Sequence, residues 1–244
     1  MTDLSKRGFI HAASSLTIAG GLVAIPAAGL VHAAAAAEHK RQRKNEKNEK
    51  KEEAVTPPED LMREHGVLDR VLLVYEAVIR RFGAGEDFDP AILTDSATIV
   101  RDFIENYHEK SEEDHVFPRF KKARQMVPLV DTLLAQHQAG RRVTEVILRL
   151  APSSRADSDG RRELVGAMQA FIAMYRPHAA REDTDLFPKL RSLVSSNEYD
   201  ALAEEFEEKE HELFGEDGFD KMAHRVAELE QRIGIHDLNQ FTPH

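Results

Sequence analysis

Residues 103–120 read FIENYHEKSEEDHVFPRF, and residues 175–190 read YRPHAAREDTDLFPKL. Both segments contain a His and a Glu four residues apart, and both continue to a Phe-Pro pair. They align at a constant offset of 70 residues, so that His108 corresponds to His178. Because four residues make about one turn of an α-helix, each His and its Glu lie on one helical face. The repeat therefore predicts two helices of the same design.

Outward from this repeat, apolar residues recur every three or four positions from Pro58 onward, which is typical of amphipathic helices. The pattern predicts helices at about residues 58–82, 90–117, 127–150, 161–187, 199–214 and 219–233. Pro118 and Pro188 are expected to break the second and the fourth of these helices. The sequence thus predicts an all-α fold, an antiparallel four-helix bundle with additional C-terminal helices.

Each of the four long helices has a His on its apolar face, and two of them add a Glu on the same face. These residues are His65, His108, Glu112, His137, His178 and Glu182. One such His alone is usually a hydrogen-bonded core residue. Four imidazoles and two carboxylates facing one interior would be costly to bury unless a cation binds them. The pattern therefore indicates a metal site to which each helical hairpin contributes two imidazoles and one carboxylate.

The composition excludes several other kinds of site. The chain has 244 residues with 12 His and no Cys. The lack of Cys rules out disulfides, thiolate zinc sites, iron–sulfur clusters and a cysteine nucleophile. Any metal must therefore be bound by His and carboxylate ligands. The formal net charge of −10 argues against nucleic-acid binding, which requires a basic surface.

In these motifs the chain resembles the hemerythrin-like, or HHE cation-binding, family. The resemblance covers roughly residues 58–195 and follows the order His, H-x3-E with Phe-Pro, His, and H-x3-E with Phe-Pro. It implies an antiparallel four-helix bundle that holds a dinuclear non-haem iron centre, with manganese or zinc less favoured, and that binds O2, NO or peroxide. The implied metal ligands are His65, His108, Glu112, His137, His178 and Glu182.

The resemblance also implies a role for each ligand. The two Glu residues would bridge the metals, the first two His residues would bind one metal, and the last two would bind the other. Oxygen-carrying members of the family have a second His one turn after the third-helix ligand, where this chain has Arg141. The difference weighs against reversible oxygen carriage. It leaves an open coordination position, or one that His115 or another carboxylate fills.

Three other interpretations remain at this point. A ferritin-like diiron oxidase or iron-storage bundle has Glu-x-x-His on two helices, a string that Glu112-x-x-His115 and Glu208-x-x-His211 satisfy, although the fourth helix lacks it. A metal-free interaction module could use its His cluster to respond to pH. A metal reservoir or sensor without turnover has the same ligands as an enzyme, so the sequence does not decide whether the protein is an enzyme.

Residues 1–37 are predicted to be an export signal. A short basic start is followed by an Ala- and Gly-rich apolar stretch, and small residues from Ala33 to Ala37 fit a cleavage site. The string Ser-Lys-Arg-x-Phe-Ile resembles the twin-arginine signal, with Lys6 in place of its first Arg. We therefore expect a periplasmic protein without stable membrane insertion. An uncleaved signal would instead act as a membrane anchor.

Residues 38–57 are predicted to be a charged linker, and residues 196–244 a C-terminal helical extension. The run from 38 to 53 contains seven Lys or Arg and five Glu, and it cannot bury apolar surface. Residues 1–37 carry a net charge of +1 and residues 38–53 carry +2, which leaves −13 for the rest of the chain. The predicted folded part is therefore strongly acidic.

Overall fold

The computed structural model describes residues 55–155 and 158–243. Within these residues the chain forms helices and no strand, so the predicted all-α class is confirmed. The predicted export signal and nearly all of the charged linker lie outside the described residues, and they stay predictions. Among the described residues, no helix is both long enough and apolar enough to cross a bilayer.

Six helices account for most of this part of the chain. Their bounds are α1 Pro57–Ala84, α2 91–123, α3 Val127–Leu150, α4 158–193, α5 Ser196–Phe214 and α6 Gly218–Ile233. Short 3₁₀ turns at Ala151–Ser153 and Leu238–Phe241 follow α3 and α6. Helix α1 begins inside the predicted linker, where the Thr56 side chain caps it by accepting the N–H of Glu59.

The prolines of the two Phe-Pro pairs do not end α2 and α4, contrary to the sequence prediction. Pro118 follows the π-helical segment Glu112–Val116, and Pro188 follows the π-helical segment Glu182–Leu186. In both segments the N–H of the Phe before the proline donates to the carbonyl of the Glu five residues earlier. Because the π turn is wider, each proline lies in the first turn of a new α segment, where its missing N–H is tolerated.

The four long helices contact one another in a closed series. Helix α1 packs on α2 and α4, and α3 packs on the same two helices. Helix α6 lies against α1 and the first part of α2, and α5 contacts α1, α2 and α6. Both C-terminal helices bury apolar side chains in the common core, so they are part of the folded unit that holds the predicted site.

The apolar core consists of two clusters separated by a polar layer. The large cluster includes Leu68, Leu72, Phe103, Ile147, Met168 and Phe171. The small cluster includes Leu61, Phe117, Phe120, Leu133, Phe187 and Leu190. Along α1 and α3 the chain passes from the small cluster to the large one, and along α2 and α4 it passes in the opposite direction. The predicted His and Glu residues lie between the two clusters on every one of these helices.

Gly140 of α3 makes room for a tyrosine of α4. A Cβ atom built on Gly140 would lie 2.7 Å from Cζ of Tyr175, whose ring is fully buried. The Tyr175 hydroxyl donates a hydrogen bond to Oε1 of Glu109 (2.5 Å), so the ring cannot move away without losing this bond. The glycine is therefore required by the packing of α3 against α4.

Replacing Gly140 by Ala should lower the free energy of unfolding by about 1–3 kcal/mol, because overpacking outweighs the better helix propensity of alanine. Gly166→Ala is the matched control, since Gly166 is a helical glycine of α4 whose added Cβ would meet no atom within 4 Å. We expect this control to be neutral or slightly stabilising. Urea unfolding of both variants measures the difference, and equal effects would contradict the close packing.

Candidate metal centre

The structure brings the six residues singled out by the sequence into one buried layer. Their exposed fractions are all between 0 and 3%. The Nε2 atoms of His65 on α1 and His108 on α2 are 3.0 Å apart. Those of His137 on α3 and His178 on α4 are 3.2 Å apart. The four imidazoles thus form two pairs, one from each helical hairpin.

The two glutamates connect these pairs. Oε2 of Glu112 lies 3.9 Å from Nε2 of His108 and 3.4 Å from Nε2 of His137. Oε2 of Glu182 shows the same relation, at 3.4 Å from Nε2 of His65 and 3.0 Å from Nε2 of its helix neighbour His178. Each carboxylate therefore lies within 4 Å of one imidazole of each pair.

The carboxylate oxygens at this position have no hydrogen-bond donor. Both oxygens of Glu112 and both of Glu182 are buried without a hydrogen-bond partner. Among the residues described, neither glutamate forms an ion pair with a Lys or an Arg. Leaving such groups unsatisfied is costly. Mixed imidazole and carboxylate donors suit iron, manganese and zinc, so the donor set fits a cation at this position.

The donor atoms also have the spacing that a metal ion requires. One ligand atom of each residue lies within 4.8 Å of the others in the group Glu112, His137, His178 and Glu182. The same holds for the group His65, His108 and Glu112. The two groups share one glutamate.

The far nitrogen of every imidazole contacts an oxygen acceptor. Nδ1 of His65 lies 2.8 Å from Oδ1 of Asp183, and Nδ1 of His108 lies 2.6 Å from Oε2 of Glu64. When the imidazole is neutral and the carboxylate is ionised, Nδ1 donates and the lone pair of Nε2 faces the centre, as metal binding requires. Metal-binding histidines commonly have this arrangement, in which an acceptor fixes the ring orientation and tautomer.

The second pair follows the same rule. Nδ1 of His137 lies 3.1 Å from Oε1 of Glu113, and Nδ1 of His178 lies 2.9 Å from Oε1 of Gln136. In the order α4, α1, α2, α3, each acceptor lies on the helix before the one that contains its His. The series closes because the acceptor of His178 on α4 is Gln136 on α3. The acceptors therefore fasten each helix to the next at the level of the centre.

The Phe of each Phe-Pro pair packs on an imidazole of another helix. The Phe117 ring of α2 stacks on His137 of α3 at 5.5 Å between centroids, with an interplanar angle of 26°. The Phe187 ring of α4 stacks on His65 of α1 at 5.6 Å and 19°. The small apolar cluster thus covers the centre on one side and fixes the ring planes of two of its imidazoles.

The titration behaviour of the layer is strongly perturbed. Burial lowers the pKa of His65, but the hydrogen bond to Asp183 and the nearby carboxylate of Glu182 outweigh it and raise the pKa to about 9. Burial lowers the pKa of His137 to about 4. Burial, together with the charge of Glu182, raises the pKa of Glu112 well above its ordinary value. Opposing shifts of this kind in one buried group are characteristic of functional sites.

Arg141 is engaged one step away from the centre. Its Nη1 lies 2.8 Å from Oε1 of Glu113, and its Nη2 lies 2.8 Å from Oε2 of Glu109. Burial raises the pKa of Glu113, but hydrogen bonds to His137 and Arg141 outweigh it and lower the pKa to about 2. Arg141 thus supports the carboxylate that orients an imidazole.

His115 does not join the layer. Its side chain is 29% exposed, and its Nδ1 lies 3.2 Å from Oε2 of Glu205 on α5. His115, Glu208 and His211 line an open cleft of about 660 Å³ between α2 and α5, whereas Glu112 is buried in the core. The two Glu-x-x-His strings therefore do not converge, which weakens the ferritin-like interpretation. His115 also does not fill the position left by Arg141.

Sequence reasoning missed the four acceptors of the imidazole Nδ1 atoms. They are Glu64, Glu113, Gln136 and Asp183. Every one of them is adjacent in sequence to a predicted ligand. A polar residue directly before or after a ligand was the available signal, but one residue along a helix turns the side chain by about 100° toward another helix. Only the packing shows which imidazole it reaches.

The hemerythrin HHE cation binding domain family matches residues 56–190 and, in a second overlapping match, residues 129–238. The first match begins nine residues before His65 and the second begins eight residues before His137. The family pattern therefore also fits from the start of the second hairpin, in agreement with the internal repeat. The second match extends through α5 and α6, which lie beyond residue 195, where the resemblance seen in the sequence motifs ends.

An uncharacterised protein of Mycobacterium tuberculosis is 46% identical to the chain over 190 residues, which are 78% of this chain and 74% of the relative. An uncharacterised protein of Mycobacterium bovis matches to the same extent. No solved structure matches the chain significantly. With a family match over most of its described residues and His/Glu groups spaced to hold metal, the chain belongs to the hemerythrin HHE cation-binding domain family.

Proposed function

We propose that the protein binds two metal ions, mostly iron, in the buried layer between the two His pairs. Glu112 and Glu182 bridge the ions. His65 and His108 bind one ion, while His137 and His178 bind the other. The observation that carries this proposal is the set of four partnerless carboxylate oxygens among imidazoles whose Nε2 atoms all face inward.

We also propose that α1 to α4 form an antiparallel four-helix bundle. The closed series of contacts among these helices supports it. So does the alternating direction in which they pass between the two apolar clusters. Bundles of this type commonly place dinuclear carboxylate sites on facing helices.

Bound in this way, a pair of iron ions supplies redox chemistry and a coordination position for O2, NO or peroxide. The chain itself supplies the environment. The two apolar clusters exclude water from both sides of the layer, and the Nδ1 acceptors fix the direction of each imidazole. Glu112 and Glu182 offset the positive charge within the layer.

The surroundings of Arg141 favour sensing or scavenging of small ligands over reversible oxygen carriage. The side chain stands where oxygen-carrying relatives have an additional His, and a guanidinium does not ligate metals. Both terminal nitrogens of its guanidinium form ion pairs with carboxylates of α2, those of Glu109 and Glu113. The chain therefore provides one imidazole fewer than a carrier.

Elemental analysis of protein purified without a His tag tests the dinuclear centre. We expect two metal ions per chain, mostly iron, after expression in iron-replete medium, and a content near zero would refute the proposal. Reduced protein should also bind NO and gain absorption bands that chelator-treated protein lacks. A full iron content without such bands would support the metal centre but contradict the proposal that it binds NO.

Removing one imidazole acceptor should weaken metal binding without removing a ligand. Asp183→Ala removes the carboxylate that holds Nδ1 of His65, and the loss of such an acceptor typically costs about 10–100-fold in metal affinity. Asp185→Ala is the matched control, because Asp185 lies on the same helical turn and pairs with exposed Arg181. Competition with a coloured chelator measures both affinities. Similar affinities for the two variants would show that the acceptor has no role in metal binding.

A further inference from the structure

A second group of carboxylates lies where α5 meets α1, apart from the six residues of the centre. It consists of Asp60 and Glu64 on α1 and Glu210 on α5. One carboxylate oxygen of each lies within 4.8 Å of the other two. Glu64 is buried, whereas Asp60 and Glu210 are partly exposed and connect the group to solvent.

The buried member of this group has an oxygen without a partner. Oε2 of Glu64 contacts Nδ1 of His108, but its Oε1 is buried and has no hydrogen-bond donor. The hydroxyl of Tyr107 is close to Glu64, yet it donates to the carbonyl of Phe206 at 3.5 Å. An orphaned oxygen on a side chain that is only 1% exposed calls for a ligand in its own right.

Positive charge around the group is insufficient to balance three carboxylates. Nη1 of Arg63 lies 3.8 Å from Oδ1 of Asp60, and its guanidinium stacks on the Phe219 ring at 4.1 Å. Burial, followed by the charges of Glu64 and Glu210, raises the pKa of Asp60 to about 7. Three carboxylates thus lie close together, and within the described residues one guanidinium, that of Arg63, forms an ion pair with them.

The third carboxylate is fixed by a bond that does not depend on its charge. Oε1 of Glu210 accepts the backbone N–H of Phe219 at the start of α6 (2.8 Å). This bond fixes Oε1 of Glu210 against the start of α6 and does not involve Oε2. A Gln at this position can keep the bond, because its amide oxygen accepts in the same way.

We propose that Asp60, Glu64 and Glu210 form an additional site for a hard divalent cation, with water completing its coordination. Oxygen-only donors suit Mn²⁺, Mg²⁺ and Ca²⁺. Two oxygens that each lie about 2.1–2.6 Å from one ion are separated by at most about 5 Å, which agrees with the observed spacing. None of the three residues belongs to the six proposed ligands, although Glu64 adjoins the centre through His108.

Titration of the iron-containing full-length protein with Mn²⁺, followed by the electron paramagnetic resonance of free Mn²⁺, tests this site. Wild-type protein should take up one Mn²⁺ per chain while its iron content stays constant. The double variant Asp60→Asn/Glu210→Gln should lose this Mn²⁺ and keep its iron. The matched control Glu59→Gln/Glu204→Gln removes the same charge from exposed positions of the same two helices and should bind Mn²⁺ as the wild type does.

Two results would overturn the inference, namely no Mn²⁺ uptake by the wild type or equal uptake by the two double variants. The single variant Glu210→Gln keeps the bond to Phe219, so it separates loss of the site from loss of the fold. If protein with a full iron content takes up no Mn²⁺, the additional site is refuted and the proposed dinuclear centre is unaffected. If the protein contains no iron but takes up Mn²⁺, and this uptake depends on Asp60 and Glu210, the result supports the additional site and not the dinuclear centre.

Discussion

Replacing Glu182 by Ala should remove most of the bound metal. The carboxylate contacts one imidazole of each pair, at 3.0 and 3.4 Å, so a single substitution weakens the binding of both ions. Glu112→Ala should have the same effect for the same reason. We expect losses in affinity greater than the roughly 100-fold reached when an outer acceptor is removed. Elemental analysis and chelator competition measure these losses.

His115→Ala is the control for both variants. His115 lies three residues after Glu112 in the same helix, but it pairs with Glu205 at the surface of the cleft. Its removal should leave the metal content unchanged, since its imidazole is outside the buried layer. Equal metal loss in all three variants would mean that the ligands have been assigned wrongly.

Chelation should lower the thermal stability of the protein substantially. Removing the ions would leave two buried carboxylates facing each other among four imidazoles, which is costly in a dry interior. A ligand present at 100 times its dissociation constant stabilises the folded state by about 2.7 kcal/mol. For a chain of this size that corresponds to a decrease of about 5–10 °C in Tm when the metal is removed. Differential scanning calorimetry with and without chelator measures it.

The effect of Glu112→Ala on stability should depend on whether metal is bound. After chelation, Glu112→Ala should be as stable as the wild type or more stable, because it removes a buried carboxylate without a partner. In the metal-replete state the same variant should be the less stable of the two. An identical Tm for the wild type in both states would show that the layer is satisfied without metal.

The six candidate ligands were predictable because they depend on local geometry. A His and a Glu four residues apart share a helical face wherever the helix lies, and the apolar stripes show that this face is buried. The 70-residue repeat added the pairing of the two hairpins, and the structure places all six side chains in one layer. The all-α class and the positions of the six helices followed from the same periodicity.

The surroundings of the ligands depended on contacts between helices. Glu64 is next to His65 in sequence but contacts His108, and Asp183 is next to Glu182 but contacts His65. Pro118 looked like a helix end, because the π turn before it cannot be recognised from residue preferences alone. Those relations depend on how far each helix is rotated and shifted against its neighbours.

The group Asp60, Glu64 and Glu210 shows most clearly the difference between what local sequence predicts and what depends on helix packing. Its first two members are four residues apart on α1, and that much is readable from the sequence. The third lies about 150 residues later, on a helix that the sequence predicted but could not dock. Helical periodicity is a property of the backbone and acts over one turn, so the order of residues was enough to predict which faces are buried. Which faces meet depends on the packing of all six helices at once, and these contacts join residues that are far apart in the chain.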